Sequence, residues 1–66
     1  MKIDEILCAI RYLAASQGFY GRLYDSLMGT RASDPDRWDE VVAELEGESF
    51  SGALDVAMFF EAGGGV

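Results

Sequence analysis

Apolar residues recur along this chain at intervals of three and four, the spacing of one face of an α-helix. In the first such stretch, residues 3–16, Ile3, Ile6, Leu7, Ile10, Leu13 and Ala14 form an amphipathic stripe. Asp4 and Glu5 sit in its first turn, where carboxylates suit the positive end of the helix dipole. Ser16-Gln17-Gly18 ends it, and a second helix is predicted over 18–28, with Phe19, Tyr20, Leu23, Tyr24, Leu27 and Met28 as a broad apolar stripe. Gly18 and Gly21 leave open a bend inside one long helix pair instead of a clean hairpin. Arg22 and Asp25, three residues apart, are spaced to pair on the outer side. Gly29 is the expected left-handed stop, followed by a polar connection from Thr30 to Ser33.

The third stretch, 34–46, has the clearest start. Asp34 offers a side-chain acceptor to a free first-turn amide, and Pro35 occupies the first helical position, where its missing N–H costs nothing. At about 100° per residue, Trp38, Val41, Val42 and Leu45 share one side, and Asp36, Asp39, Glu40, Glu44 and Glu46 share the other. Gly47 is the expected left-handed residue that stops it. Trp38 is the largest apolar side chain, and truncating it to alanine is expected to cost about 3–5 kcal/mol, enough to threaten a domain this small. The fourth stretch, 52–62, takes Ser51 as its expected N-cap. Ala53, Leu54, Val56, Ala57, Met58, Phe59 and Phe60 cover nearly its whole circumference, so it is central to the core or carries a second buried contact such as a dimer interface. Gly63-Gly64-Gly65-Val66 caps this helix and then frays.

No period-two alternation of useful length occurs, and the connections suit a bundle. The expected fold is all-α, a compact bundle of four short helices in one domain over residues 1–62, with a flexible tail at 63–66. At 66 residues the chain buries only about 60% of the surface its unfolded form exposes, yet half its residues are hydrophobic, enough for a core without staples. One cysteine, Cys8, permits no internal disulfide and no cysteine-based zinc site, and it reads as a small helix residue. The absence of histidine removes the usual metal ligand and the usual acid–base group near neutral pH. No serine–histidine–aspartate set and no nucleotide loop are present, so the chain is not expected to be an enzyme, and no cofactor or metal is expected. Without an export signal or an apolar run of about 20 residues, a cytoplasmic protein is expected.

Charge divides the chain. Residues 1–37 hold five acids and five bases, whereas residues 38–66 hold seven acids and no base, so the second part carries the whole formal charge of −7. The plain explanation of the acidic helix is a solvated face. The sharper one is a surface that imitates nucleic acid: carboxylates four residues apart rise about 6 Å along a helix, comparable to the step between phosphates on one strand. Such a surface occupies a basic patch built for DNA, with fast, salt-sensitive association. Asp36, Asp39, Glu40, Glu44, Glu46 and Glu48 are the candidate partner-binding residues, with direct binding of nucleic acid disfavoured by the charge. A calcium loop at Asp34–Asp39 lacks the required order of donors. Tyr12, Tyr20 and Tyr24, whose rings suit interfaces, and Phe59 on the fourth helix make a secondary candidate partner surface.

The segment Leu13-Ala14-Ala15-Ser16-Gln17-Gly18-Phe19-Tyr20-Gly21-Arg22-Leu23, with Glu44-Leu45-Glu46, Phe50, Leu54-Asp55-Val56 and Phe59-Phe60-Glu61 later on, resembles short proteins of bacteriophages and integrated mobile elements. In size, acidity and lack of catalytic residues the chain is similar to anti-CRISPR proteins, above all the small, helical, acidic inhibitors of type I surveillance complexes, type I-C among them. That resemblance implies a stoichiometric inhibitor in a bacterial host cell, bound at the DNA-entry or PAM-reading surface of the complex, with the PAM-reading large subunit as the favoured partner. The class shares no motif, so the site residues rest on charge placement alone. The alternative is a small helical interaction module of a phage or mobile element, binding or dimerising through apolar and aromatic helix faces.

Overall fold

Ile6 and Ile10, from the stripe that periodicity places on the first helix, lie with Ala9 at the centre of the molecule. The computed structural model describes residues 1–63, which form four α-helices and, among those residues, no strand. They are α1 (Ile3–Ala14), α2 (Gly18–Ser33), α3 (Pro35–Glu46) and α4 (Ala53–Glu61). The all-α bundle expected from the pattern is the fold. From Gly64 onward, the expected tail lies outside the described residues.

α1 is the hub. It runs close to α2, α3 and α4, and α2 also runs close to α3, whereas α4 approaches only α1 along its backbone. The core joins Ile6, Ala9 and Ile10 of α1 to Tyr20 of α2, Leu45 of α3, and Val56, Ala57 and Phe60 of α4. Phe59 and Phe60 meet edge-to-face with ring centroids 5.1 Å apart, and Phe50 stands edge-on to Phe59 at 5.3 Å. These contacts hold the loop before α4 against the helix, in the geometry that aromatic quadrupoles prefer.

Tyr20 rather than Trp38 anchors this core. Tyr20 has no solvent exposure, while Trp38 is partly buried and stands apart from the central cluster. The Tyr20 hydroxyl donates to Glu61 Oε2 at 2.9 Å and lies 3.3 Å from the carbonyl oxygen of Ala57. A hydroxyl has one proton to give, and the shorter contact lies nearer the usual O–H···O range. The bond joins two helices whose backbones do not run close together. Burial, then the hydrogen bond to Glu61, then the charge of Glu61 push the Tyr20 hydroxyl above its ordinary pKa.

The helix ends correct three sequence expectations. Gly29 does not stop α2, which continues to Ser33. Thr30 and Ser33 donate their hydroxyls to the carbonyls of Ser26 and Gly29 one turn back, so the polar connection stays helical. The actual stop is Pro35, because the residue before a proline is pushed out of the helical region. Asp34, with φ −141° and ψ 79°, turns the chain there. Its N–H closes α2 on Thr30 at 2.8 Å, and its carboxylate accepts from the Arg37 N–H at 3.2 Å to open α3, the cap expected at that end. Gly47 is right-handed (φ −75°, ψ −16°) and ends α3 by donating its N–H to the Ala43 carbonyl.

Gly52, not Ser51, is the N-cap of α4. Asp55 reaches back from the first turn to accept both the N–H and the hydroxyl of Ser51. Those bonds hold the Asp55 carboxyl below its ordinary pKa, the side-chain bond contributing most. Gly63, at φ +87°, is the left-handed cap expected after α4. Arg22 and Asp25 form no ion pair; among the described residues Arg37–Glu40 is the sole one. Both members of the expected pair are exposed, where such a contact is worth little, and the Arg22 guanidinium lies alongside Gly18.

Two stability predictions follow from these placements. Gly29→Ala places a methyl in open space on a continuous helix, so it should raise unfolding stability by about 0.5–1 kcal/mol in urea denaturation; a loss of similar size would mean that Gly29 is a left-handed stop after all. Tyr20→Phe should cost about 1–1.5 kcal/mol near neutral pH. Because folding holds the hydroxyl protonated, the Tyr20 contribution is whole below pH 10.0 and is lost as pH rises through the higher folded-state value. The stability gap between wild type and Tyr20→Phe should therefore narrow as pH rises above 10.0.

Candidate protein-binding surface

α3 is positioned by its apolar side. Leu45 enters the core, Val41 packs against it, and the opposite side is left to water. Asp36, Asp39, Glu40 and Glu44 are exposed on that side, and Glu48 is exposed in the turn beyond it. Asp36, Glu40 and Glu44 follow at four-residue intervals, so they ascend one edge at about 6 Å per step. Asp39 flanks them. Glu40 pairs with Arg37 at 3.1 Å, with both side chains more than half exposed. Solvent screening makes this pair worth little, and a competing cation displaces it readily.

Glu46 departs from the expected site. Its carboxylate turns inward and accepts the Ile3 N–H at 2.8 Å in a partly buried contact. The reason lies at the start of α1. Lys2 precedes that helix and supplies no side-chain cap, leaving a first-turn amide without a local acceptor. A carboxylate from 43 residues away fills the role, and the positive end of the α1 dipole favours it. Glu46 is a tertiary cap that fastens the end of α3 to the start of α1. Five of the six candidate carboxylates remain outward: Asp36, Asp39, Glu40, Glu44 and Glu48.

The secondary aromatic surface does not assemble. Tyr20 is enclosed in the core and unavailable to a partner. Tyr24 is partly buried, packs against the core and carries the Arg11 guanidinium over its ring at 5.6 Å. Phe59 is partly buried between Phe50 and Phe60. Solvent instead meets Tyr12, 75% exposed, and two residues of α4 one turn apart, Leu54 at 75% and Met58 at 62%. The all-round apolar pattern of α4 is thus divided: Val56, Ala57 and Phe60 are buried, and Leu54 and Met58 face outward.

Glu61 was missed as a residue of interest, although a signal was present. It is a carboxylate in the last turn of an otherwise apolar helix, at the negative end of the dipole, where a base is the favourable choice. Cys8 is exposed and free. Among the described residues no helix is long and apolar enough to cross a membrane, and no three His, Cys, Asp or Glu side chains gather to hold a metal ion. No family model, curated protein or solved structure matches the chain.

The division of labour among the carboxylates is testable. Glu46→Ala should lower stability by about 1 kcal/mol, the usual cost of losing a helix cap, and Glu46→Gln, which keeps an acceptor oxygen, should lose less. Equal unfolding midpoints for Glu46→Ala and wild type in urea would return Glu46 to the solvated face.

Proposed function

We propose that this chain is a stoichiometric inhibitor that lays the carboxylate face of α3 on the phosphate-reading surface of a DNA-binding protein or complex. One observation carries the reading. Asp36, Asp39, Glu44 and Glu48 are exposed with no basic partner among the described residues, while every lysine and arginine lies at or before residue 37. Like charges at four-residue spacing destabilise a free helix by about 0.2–0.5 kcal/mol per pair. Lysine or arginine side chains of a partner turn that repulsion into attraction. A carboxylate row on a rigid helix also needs little ordering when it binds, which lowers the entropic cost of association.

The resemblance to acidic inhibitors of type I surveillance complexes selects the target to try first: the DNA-entry or PAM-reading surface of a type I-C complex. A second reading rests on Leu54 and Met58. Two large apolar side chains one turn apart, both mostly exposed, suit a helix-face contact with a protein partner. In that reading the chain is an interaction module and its acids serve solubility.

Target-DNA binding by a purified type I-C complex separates the two readings. Wild type should block DNA at near-equimolar ratio. Asp39→Lys, Glu40→Lys and Glu44→Lys combined should weaken inhibition by at least about tenfold with helicity intact, and Leu54→Ser with Met58→Ser should leave it unchanged. The reverse pattern moves the function to α4, and undisturbed DNA binding in the presence of wild type rejects this target.

A further inference from the structure

A shallow cavity of about 380 Å³ opens where the start of α2 meets the end of α4, lined by Gln17, Phe19, Phe60, Glu61 and Gly63. Its chemistry is specific. Phe19 is 39% exposed and stands edge-on to the buried Tyr20 ring at 5.1 Å, so its position is fixed by the core while its ring meets solvent. Among the described residues of the lining Glu61 is the charged one, and its Oε2 is held at 2.9 Å by the Tyr20 hydroxyl. That bond fixes the carboxylate in direction without neutralising it.

The surroundings add negative potential. α4 ends at Glu61 with no basic residue in its last turn, so the carboxylate and the negative end of the helix dipole coincide. Glu46, at the equivalent place on α3, is compensated by the Ile3 N–H. Glu61 has no basic partner among the described residues. A fixed carboxylate beside aromatic rings is the setting that selects a cation, and a guanidinium fits better than an ammonium because it is planar, weakly hydrated and stacks on rings.

We infer that the cavity between Phe19, Phe60 and Glu61 is a receptor for one arginine side chain presented by a partner protein. The guanidinium lies against the exposed Phe19 ring and donates to the Glu61 carboxylate. The site is built from α2 and α4, whereas the carboxylate row lies on α3, whose backbone does not run close to α4. It therefore stands whether or not the acidic face of α3 binds anything.

The test is a titration of the isotopically labelled full chain with N-acetyl-arginine amide, followed by amide and side-chain NMR, with the neutral isostere N-acetyl-citrulline amide as control. A ligand of this size binding at ordinary efficiency has a dissociation constant on the order of 1 mM. The arginine amide should shift resonances of residues 17–20 and 59–63, and the citrulline amide should shift none at the same concentration. Glu61→Gln preserves an acceptor for Tyr20 and removes the charge, so it should weaken binding by at least about fivefold with the fold intact. Phe19→Leu should do the same through loss of the ring. Equal shifts with citrulline amide, shifts confined to the α3 carboxylates, or unchanged affinity in both variants would overturn the proposal. So would contacts from the Val66 methyls to the Phe19 ring, or concentration-dependent shifts at these residues without probe, since the chain's own end or a second copy would then occupy the cavity.

Discussion

The structure depends on one buried phenol. Tyr20 fills the centre of the core, and its hydroxyl reaches across to the end of α4, a helix whose backbone otherwise approaches only α1. A domain of this size has little apolar area to spare, so the element with fewest neighbours needs a directional contact. A phenylalanine at this position would supply the volume without the link. The hydroxyl also gives Glu61, an otherwise ill-placed carboxylate, a fixed direction. Packing and surface chemistry meet in that one bond.

The acidic character of the chain divides in the same way. Asp34 separates α2 from α3, Asp55 ties the loop before α4, Glu46 caps α1, and Glu61 receives Tyr20. Each of these carboxylates answers a backbone amide or hydroxyl left open by the fold. Among the described residues, Asp36, Asp39, Glu44 and Glu48 answer none, and Glu40 has only an exposed arginine on its own helix. The net charge of −7 therefore overstates the surface available for a partner. Asp4, Glu5 and Asp25 are also exposed, on α1 and α2, so the acidic row of α3, with Glu48 in the turn beyond it, is one part of that surface.

Much of this architecture was legible in the sequence. The Asp34-Pro35 start of α3, the stripe of α1 and the division between apolar and acidic sides of α3 follow from local rules, and the structure keeps them. The end of α2 is not legible locally because Gly29 is a common stop signal; nothing nearby demands a left-handed residue, and Pro35 acts six residues later. Periodicity also placed Tyr20 in a stripe with Leu23, Tyr24 and Leu27 without showing which of them the other helices enclose. Glu46 belonged on the acidic face by its helical angle. Only the distant, uncapped start of α1 draws it inward, and a contact across 43 residues leaves no local trace.

In the proposed function the carboxylate row of α3 takes the place of DNA. Direct competition tests it. Fluorescently labelled protein is bound to a type I-C surveillance complex and titrated with unlabelled duplex carrying the target and its flanking motif, while anisotropy reports bound protein and gel mobility reports the species present. Mutually exclusive binding is predicted, with duplex releasing the protein completely and the protein's own dissociation constant rising steeply with salt. A stable ternary assembly of complex, duplex and protein, with affinity insensitive to salt, would mean that the carboxylate row does not occupy the DNA site.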